Sequence, residues 1–173
     1  MLEYFPTVAF LAVMALAALT DIRSKRIPNA LVVAGLILGL ATRATLGWAS
    51  LASGAGAALV ALVLGVLLFS IGAMGAGDGK LMAVVGAFLG FEQGLLALGL
   101  SAVAGAVLSL GLAVRKGVIL PILFSTRELL AWLLTGGRRG ERVKLDAPGA
   151  LAFPFGVAIA IGSTAAWFGL LQW

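Results

Sequence analysis

The chain has 173 residues, of which 62% are hydrophobic and 11% charged, and its formal net charge is +5. A soluble domain is nearer half apolar and a quarter charged, so a membrane protein is expected, with lipid covering what a core of this size could not bury. The absence of Cys and His excludes Cys nucleophiles, Ser-His-Asp triads and metal or haem sites built on those residues. In a membrane protein the positive charge indicates loop orientation, and no nucleic acid partner is expected.

Six apolar segments predict an all-α fold, a polytopic membrane protein with about six transmembrane helices in one domain, residues 1–173. The segments are residues 4–20, 29–42, 51–74, 81–91, 94–114 and 148–173. A spanning helix needs about 20 apolar residues, so segments 29–42 and 81–91 are short. The first segment is expected to be retained, because the residues before it include Glu3 and lack the basic residues of a signal peptide.

The basic residues predict the orientation of these segments. All but one of the 12 Lys and Arg residues lie in alternate connections, and the exception is Arg43. Those in alternate connections are Arg23, Lys25, Arg26, Lys80, Arg115, Lys116, Arg127, Arg138, Arg139, Arg142 and Lys144. By the positive-inside rule these connections are cytoplasmic, and both termini are then expected to lie outside.

The last cytoplasmic connection, residues 115–147, is not simply polar. Residues 118–134 are rich in Leu, Ile and Trp around Arg127 and Glu128, which predicts a cytoplasmic interfacial helix lying on the membrane. Residues 136–140, with the sequence Gly-Gly-Arg-Arg-Gly, predict a flexible basic linker. The Trp residues at 48, 132, 167 and 173 are expected to act as interface anchors.

Two aspartates stand out because each lies where an apolar segment meets the cytoplasmic face. Asp21 closes the first segment, and Asp78 lies in the sequence Gly75-Ala-Gly-Asp-Gly-Lys80 ahead of the fourth. The short second and fourth segments suggest that both carboxylates lie below the membrane surface. Non-helical backbone at that depth is tolerated only against protein or a water-filled cavity. The sequence therefore predicts a wet pocket that contains two carboxylates.

Two neighbouring carboxylates can carry out general acid–base chemistry on a peptide bond. They cannot both ionise cheaply, so one keeps a proton. The ionised carboxylate takes a proton from water as the water attacks the carbonyl, and the protonated one donates to the substrate. This chemistry requires no metal and no cofactor. Gly75, Gly77 and Gly79 would let the backbone approach a substrate closely.

Each of these residues also has a purely structural interpretation. Asp78 could be the N-cap of the fourth segment, and Asp21 a charge that ends the first. Lys80 is either a cytoplasmic anchor or a charge partner that tunes Asp78. Pro28 is expected at the first position of a helix, with Asn29 as a polar helix-start residue. Two other functions stay open: a small proton- or ion-coupled transporter, and an assembly subunit without catalytic activity.

The motifs resemble those of a known family. Asp21 with residues 27–29, Ile-Pro-Asn, followed by Gly-Ala-Gly-Asp-Gly-Lys at 75–80, resembles the type IV prepilin peptidases and the related preflagellin peptidases. Residues 153–160, Phe-Pro-Phe-Gly-Val-Ala-Ile-Ala, are similar to the family's Pro-Tyr-Gly-x-Ala-Ile stretch, which adds Pro154 as a supporting residue. The resemblance implies that Asp21 and Asp78 are the catalytic pair of an aspartic endopeptidase.

The resemblance also implies substrates and a location. The substrates would be prepilin or pseudopilin precursors with a short basic leader before a hydrophobic helix, cut at the cytoplasmic face of the bacterial plasma membrane. Long members of the family carry Cys-x-x-Cys motifs in an extra domain and methylate the new N-terminus. This chain has no Cys and resembles the short branch that serves Flp-type, or tight-adherence, pili. A methyl donor is therefore not expected.

Overall fold

The computed structural model describes residues 4–71, 74–117 and 154–169. Within these ranges the fold is all-α, as predicted, and contains no strand. The helices are α1 (Phe5–Ser24), α2 (Asn29–Thr45), α3 (Trp48–Ser70), α4 (Ala76–Lys116) and α5 (Phe155–Trp167). The interfacial helix predicted at 118–134 and the linker predicted at 136–140 lie outside the described residues, as do Trp132 and Trp173.

Helix α4 consists of two segments, residues 76–89 and 91–116, that fold back on each other at Gly90. Gly90 has φ +76° and ψ −169°, a non-helical conformation that glycine adopts readily because it has no Cβ. A Cβ built on Gly94 would lie 3.7 Å from the Cα of Gly86, which requires the chain to reverse between them. The fourth and fifth apolar segments are therefore separate helices, and the reversal occurs at Gly90 instead of residues 92–93.

Several predicted helix boundaries were wrong. Helix α1 continues past Asp21 to Ser24, and α3 ends at Ser70 instead of residue 74. Helix α4 begins at Ala76, not at residue 81, so the Gly-rich sequence forms its first turn. Glycine disfavours a helix locally, but here close packing against α3 stabilises it. The first segment of α4 is therefore roughly 21 Å long, still shorter than a hydrocarbon core of roughly 30 Å.

The first segment of α4 lies at the centre of the described fold. Residues 81–90 are all buried, as expected for a helix that is apolar on every side. Glycines on the neighbouring helices allow them to approach this segment closely. If Gly35 of α2 carried a Cβ, that atom would lie 2.7 Å from a methyl carbon of Val84, which is too close for a side chain. A Cβ on Gly86 would lie 2.8 Å from the backbone of Ala57 in α3. Small residues at such crossings are typical of helices packed within a membrane.

The outer surfaces of the helices are apolar. Leu59, Val66 and Val107 expose 63%, 59% and 64% of their surface, and such large exposed apolar faces indicate contact with lipid. Three of the described helices, α1, α3 and α4, are long and apolar enough to cross a membrane. Helices α2 and α5 are apolar but shorter, with 17 and 13 residues. These properties identify a membrane protein.

Arg43, the exception to the alternating charge pattern, is a structural residue. Its Nε donates to the Phe88 carbonyl at 3.0 Å, and one terminal nitrogen donates to the carbonyl of Leu89. The other terminal nitrogen donates to Ser50 Oγ at 2.9 Å. The guanidinium thus caps the carbonyl end of the first α4 segment and occupies the space beside Gly90 where a Cβ would lie. These hydrogen bonds explain why Arg43 is basic although it lies outside the connections that the charge pattern assigns to the cytoplasm.

Candidate active site

Asp21 lies in the last turn of α1 and is only 6% exposed. Its Oδ2 accepts a hydrogen bond of 2.7 Å from the backbone N–H of Gly156. Gly156 is the second residue of α5, after the N-cap Pro154, where a helix has no internal acceptor for its N–H groups. A buried carboxylate is costly unless it is hydrogen-bonded, and the positive end of the α5 dipole supports its charge.

The contact between Asp21 and Gly156 leaves no room for a side chain. A Cβ on Gly156 would lie 2.8 Å from Asp21 Oδ2 and 3.1 Å from the Asp21 Cβ and Cγ. Gly156 belongs to residues 153–160, which resemble a stretch of the peptidase family, but no role was predicted for it. The only signal in the sequence was a glycine directly after Pro154 and Phe155, at the start of an apolar segment.

The chain turns sharply after Asp21. Lys25 ends α1 in the left-handed region, with φ +51°, and its N–H donates to the Asp21 carbonyl at 2.8 Å. A non-glycine residue in this conformation is uncommon. The positive charge of Lys25 also acts on the Asp21 carboxylate. The turn directs the next residues towards the start of α2.

Asp78 is the third residue of α4, and Gly75 is the N-cap. Its carboxylate lies beside Gly75, where a Cβ would be 2.8 Å from Asp78 Oδ2, and its own N–H donates to the Gly75 carbonyl at 3.1 Å. This arrangement matches the half of a capping box in which the third residue reaches back to the N-cap. The structural interpretation of Asp78 as the N-cap was therefore wrong, because the N-cap is Gly75, three residues earlier.

The structure places the two carboxylates near enough for the charge of one to act on the other. Asp21 stands on the last turn of α1 and Asp78 on the first turn of α4, and the negative charge of Asp21 acts directly on Asp78. Asp21 is also held by the backbone N–H of Gly156 at the start of α5, and the Asp78 carboxylate lies beside Gly75 at the start of α4. The pair is thus built from the ends of three helices that are distant in sequence.

The glycines around Asp78 have different neighbours. A Cβ on Gly79 would lie 2.8 Å from the Cα of Gly65 in α3, and one on Gly65 would lie 2.5 Å from the Cα of Gly79. Gly79 is buried in this crossing, which differs from the expectation that it approaches a substrate. Gly77 faces Ile27 at 3.5 Å, an ordinary contact distance for a Cβ. Gly65 was not predicted, because its apolar segment contains no polar motif.

The remaining predicted residues lie around the pair. Lys80 Nζ donates to Asn29 Oδ1 at 2.8 Å, so the structure gives Lys80 a partner other than Asp78. Asn29 begins α2, and Pro28 is its N-cap in an extended conformation, one position earlier than predicted. Pro154 is the N-cap of α5. Among the described residues, no group of three or more acidic, His or Cys side chains could hold a metal ion.

Comparison with known proteins identifies the family of the chain. The model of the type IV leader peptidase family matches residues 8–110, more than half of the chain, and this range includes both aspartates. Neither the curated proteins nor the solved structures provide a significant match. The family is one of peptidases. On the family match, the chain belongs to the type IV leader peptidase family and is a membrane-bound peptidase.

Proposed function

We propose that this peptidase is an aspartic endopeptidase that uses Asp21 and Asp78 to remove the basic leader from prepilins at the cytoplasmic membrane face. The observation that supports this most strongly is that the Asp21 carboxylate, at the end of α1, is near enough to act electrostatically on Asp78, at the start of α4. The Gly156 N–H orients the Asp21 carboxylate, and the Asp78 carboxylate is placed beside Gly75 by the first turn of α4. Orientation of two acid–base groups is what general acid–base catalysis requires.

The reaction needs one ionised and one protonated carboxylate. The ionised carboxylate removes a proton from a water molecule, whose oxygen attacks the carbonyl carbon of the scissile peptide bond. The protonated carboxylate donates its proton towards the carbonyl oxygen, forming a tetrahedral intermediate. As the intermediate collapses and the C–N bond breaks, the carboxylate that took the water proton gives it to the leaving amine, and the other carboxylate takes a hydroxyl proton from the intermediate. The pair thus starts and ends with one proton between two carboxylates.

The proposed topology has six membrane segments. These are α1, α2, α3, the two segments of α4, and α5. Among the described residues, basic side chains follow Asp21, adjoin Asp78 and end α4. We place these ends in the cytoplasm by the positive-inside rule, with both termini outside and the carboxylate pair facing the cytoplasm of a bacterial plasma membrane.

We further assign the chain to the branch that processes Flp-type prepilins or pseudopilins. The motifs at Asp21 and at residues 75–80 support a leader peptidase, and the family match supports type IV leaders as its substrates. The sequence contains no Cys, so the Cys-x-x-Cys motifs of the longer, methylating members are not present in it. We therefore propose leader cleavage without methyl transfer.

Co-expression with a Flp-type prepilin tests the assignment of the catalytic pair. Asp21→Asn and Asp78→Asn keep the shape of each side chain but remove its acid–base chemistry, so precursor should accumulate in both. Glu92→Gln is the matched control, because Glu92 is an exposed carboxylate beyond Gly90, at the other end of the first α4 segment. Membrane insertion of each variant is checked by cell fractionation. Wild-type processing by either inserted Asn variant would contradict the proposal and favour a helix-capping role.

A further inference from the structure

A hydrogen bond connects the two sequence motifs that carry the aspartates. Lys80 Nζ donates to Asn29 Oδ1 at 2.8 Å, although 51 residues separate them. Lys80 lies two residues after Asp78, in the first turns of α4. Asn29 is the first residue of α2, directly after the connection that leaves Asp21. The bond therefore ties α2 to the helix that carries Asp78.

The connection that precedes α2 also contacts α4. Ile27 is 8% exposed and lies 3.5 Å from the position that a Cβ of Gly77 would occupy. The connection between α1 and α2 thus contacts Gly77 just before Asp78, and the first residue of α2 bonds Lys80 just after it. The two contacts differ in kind, since one is apolar packing and the other is directional. A directional contact fixes orientation as well as proximity.

The Lys80–Asn29 bond has the chemistry of a specific contact. An ammonium donor to an amide oxygen is a charge-assisted hydrogen bond and is stronger than a neutral one. Asn29 uses its oxygen, so a carboxylate at this position would accept the same bond. A long flexible Lys side chain loses rotamer freedom in such a contact, and a bond that offsets this loss orders the first turns of α2 and α4 together.

We propose that Asn29 and Lys80 form a latch that sets the relative position of Asp21 and Asp78. Both are positioning residues: they act through the geometry of the carboxylate pair and do not contact the reacting atoms. The inference rests on the proposed function for its catalytic consequence, but its structural part stands on the contacts alone. It gives Lys80 a role different from direct tuning of the Asp78 charge.

A double-mutant cycle on the purified protein separates these roles. Asn29→Ala and Lys80→Met each break the latch, and each should lower kcat about 10-fold with KM nearly unchanged, because misplaced groups lose rate more than binding. Two partners in one bond are not additive, so the double variant should be no slower than the slower single variant. Lys80→Arg and Asn29→Asp keep a donor and an acceptor and should restore most of kcat.

Several outcomes would overturn the latch. Losses that multiply in the double variant would mean that Lys80 and Asn29 act independently. A raised KM at constant kcat would mean that they bind substrate. Wild-type kinetics in both single variants would mean that the bond is dispensable. Lys116→Met, an exposed Lys at the far end of α4, is the matched control and should be silent.

A distance measurement tests the latch without reference to catalysis. The chain has no Cys, so Ile22→Cys and Ala76→Cys introduce a unique pair of spin-label sites, both exposed and each close to one aspartate. Lys80→Met should broaden the distribution of distances between the labels, and Lys80→Arg should not. An unchanged distribution overturns the latch. If the distribution broadens while Asp21→Asn and Asp78→Asn process prepilin normally, the proposed function fails and the latch survives.

Discussion

The N–H of Gly156 donates a 2.7 Å hydrogen bond to the Asp21 carboxylate across 135 residues of chain. This bond makes the start of α5 part of the carboxylate pair, although α5 carries no acidic residue of its own. A helix start offers free N–H groups and a positive dipole end to an anion. Helix α5 thus positions one half of the site with its backbone, and this requires glycine at the point of contact.

Substitution of Gly156 should reduce prepilin cleavage. In Gly156→Ala the new Cβ would lie 2.8 Å from Asp21 Oδ2, so the carboxylate must move or lose its donor. We expect a fall in kcat of about 100-fold, the scale associated with a displacement of about 1 Å in an active site. The measurement is the rate of prepilin cleavage by purified protein. Gly111→Ala, which meets nothing within 4 Å in the same fold, should retain wild-type activity. Full activity in a folded Gly156→Ala protein would show that the contact does not matter.

The crossing of α3 and α4 at Gly65 and Gly79 should be intolerant of any side chain. Each Cβ would meet the opposite backbone within 2.8 Å, and backbone cannot rotate away as a side chain can. Overpacking of this kind costs about 1–3 kcal/mol, and here it also displaces the neighbouring Asp78. Gly65→Ala should therefore lower both the midpoint of thermal unfolding and the cleavage rate. Gly56→Ala in the same helix, whose Cβ would meet Phe91 only at 3.9 Å, is the control and should change neither.

Arg43 should stabilise the reversal at Gly90. Arg43→Met removes donors from the carbonyls of Phe88 and Leu89 and from Ser50, and leaves two backbone acceptors in a half-buried turn. Each unsatisfied buried group costs about 1–3 kcal/mol, so a clear decrease in the unfolding midpoint is expected in detergent. Arg43→Lys should be intermediate, because an ammonium lacks the planar fork that reaches several acceptors. Arg115→Met, at an exposed position in the last turn of α4, is the control and should have no comparable effect. Equal unfolding midpoints for Arg43→Met and the wild type would contradict a stabilising role of Arg43.

An aromatic cluster away from the aspartates should contribute to stability but not to chemistry. Phe10 is fully buried, stacks on Trp167 at 4.6 Å and meets Phe88 edge-on at 5.4 Å. Trp167 is half-buried and packs against the core, and its expected role as an interface anchor stays a prediction. Phe10→Ala should cost about 3 kcal/mol through the cavity that it leaves. The unfolding midpoint should decrease while kcat of the folded protein stays at the wild-type value.

Phe5→Ala serves as the control for the aromatic cluster. Phe5 lies on the same helix but is 53% exposed, so its removal leaves no internal cavity. Its unfolding midpoint should remain close to that of the wild type. A loss of kcat in Phe10→Ala at a temperature where the protein is folded would instead link the cluster to the carboxylate pair.

The sequence by itself was enough to predict a helical membrane protein, and its motifs single out Asp21 and Asp78, which the proposed function assigns as the catalytic pair. Apolar composition determines what lipid must cover, and long apolar runs punctuated by Gly, Pro and charge mark where helices begin and end. Asp21 and Asp78 were identifiable because acidic residues beside an apolar segment are rare and each lies in a recognisable motif. These signals are local, since each depends on residues that are neighbours in the chain.

The tertiary structure alone decided how the pair is held. The hydrogen bond from Gly156, the crossing of Gly65 with Gly79 and the bond from Lys80 to Asn29 all join residues from different helices. A glycine in an apolar segment looks the same in sequence whether it faces lipid or another backbone. Which glycine matters is set by how closely two helices approach. That approach depends on packing over the whole fold, because a contact between helices is determined by their relative position and not by local sequence.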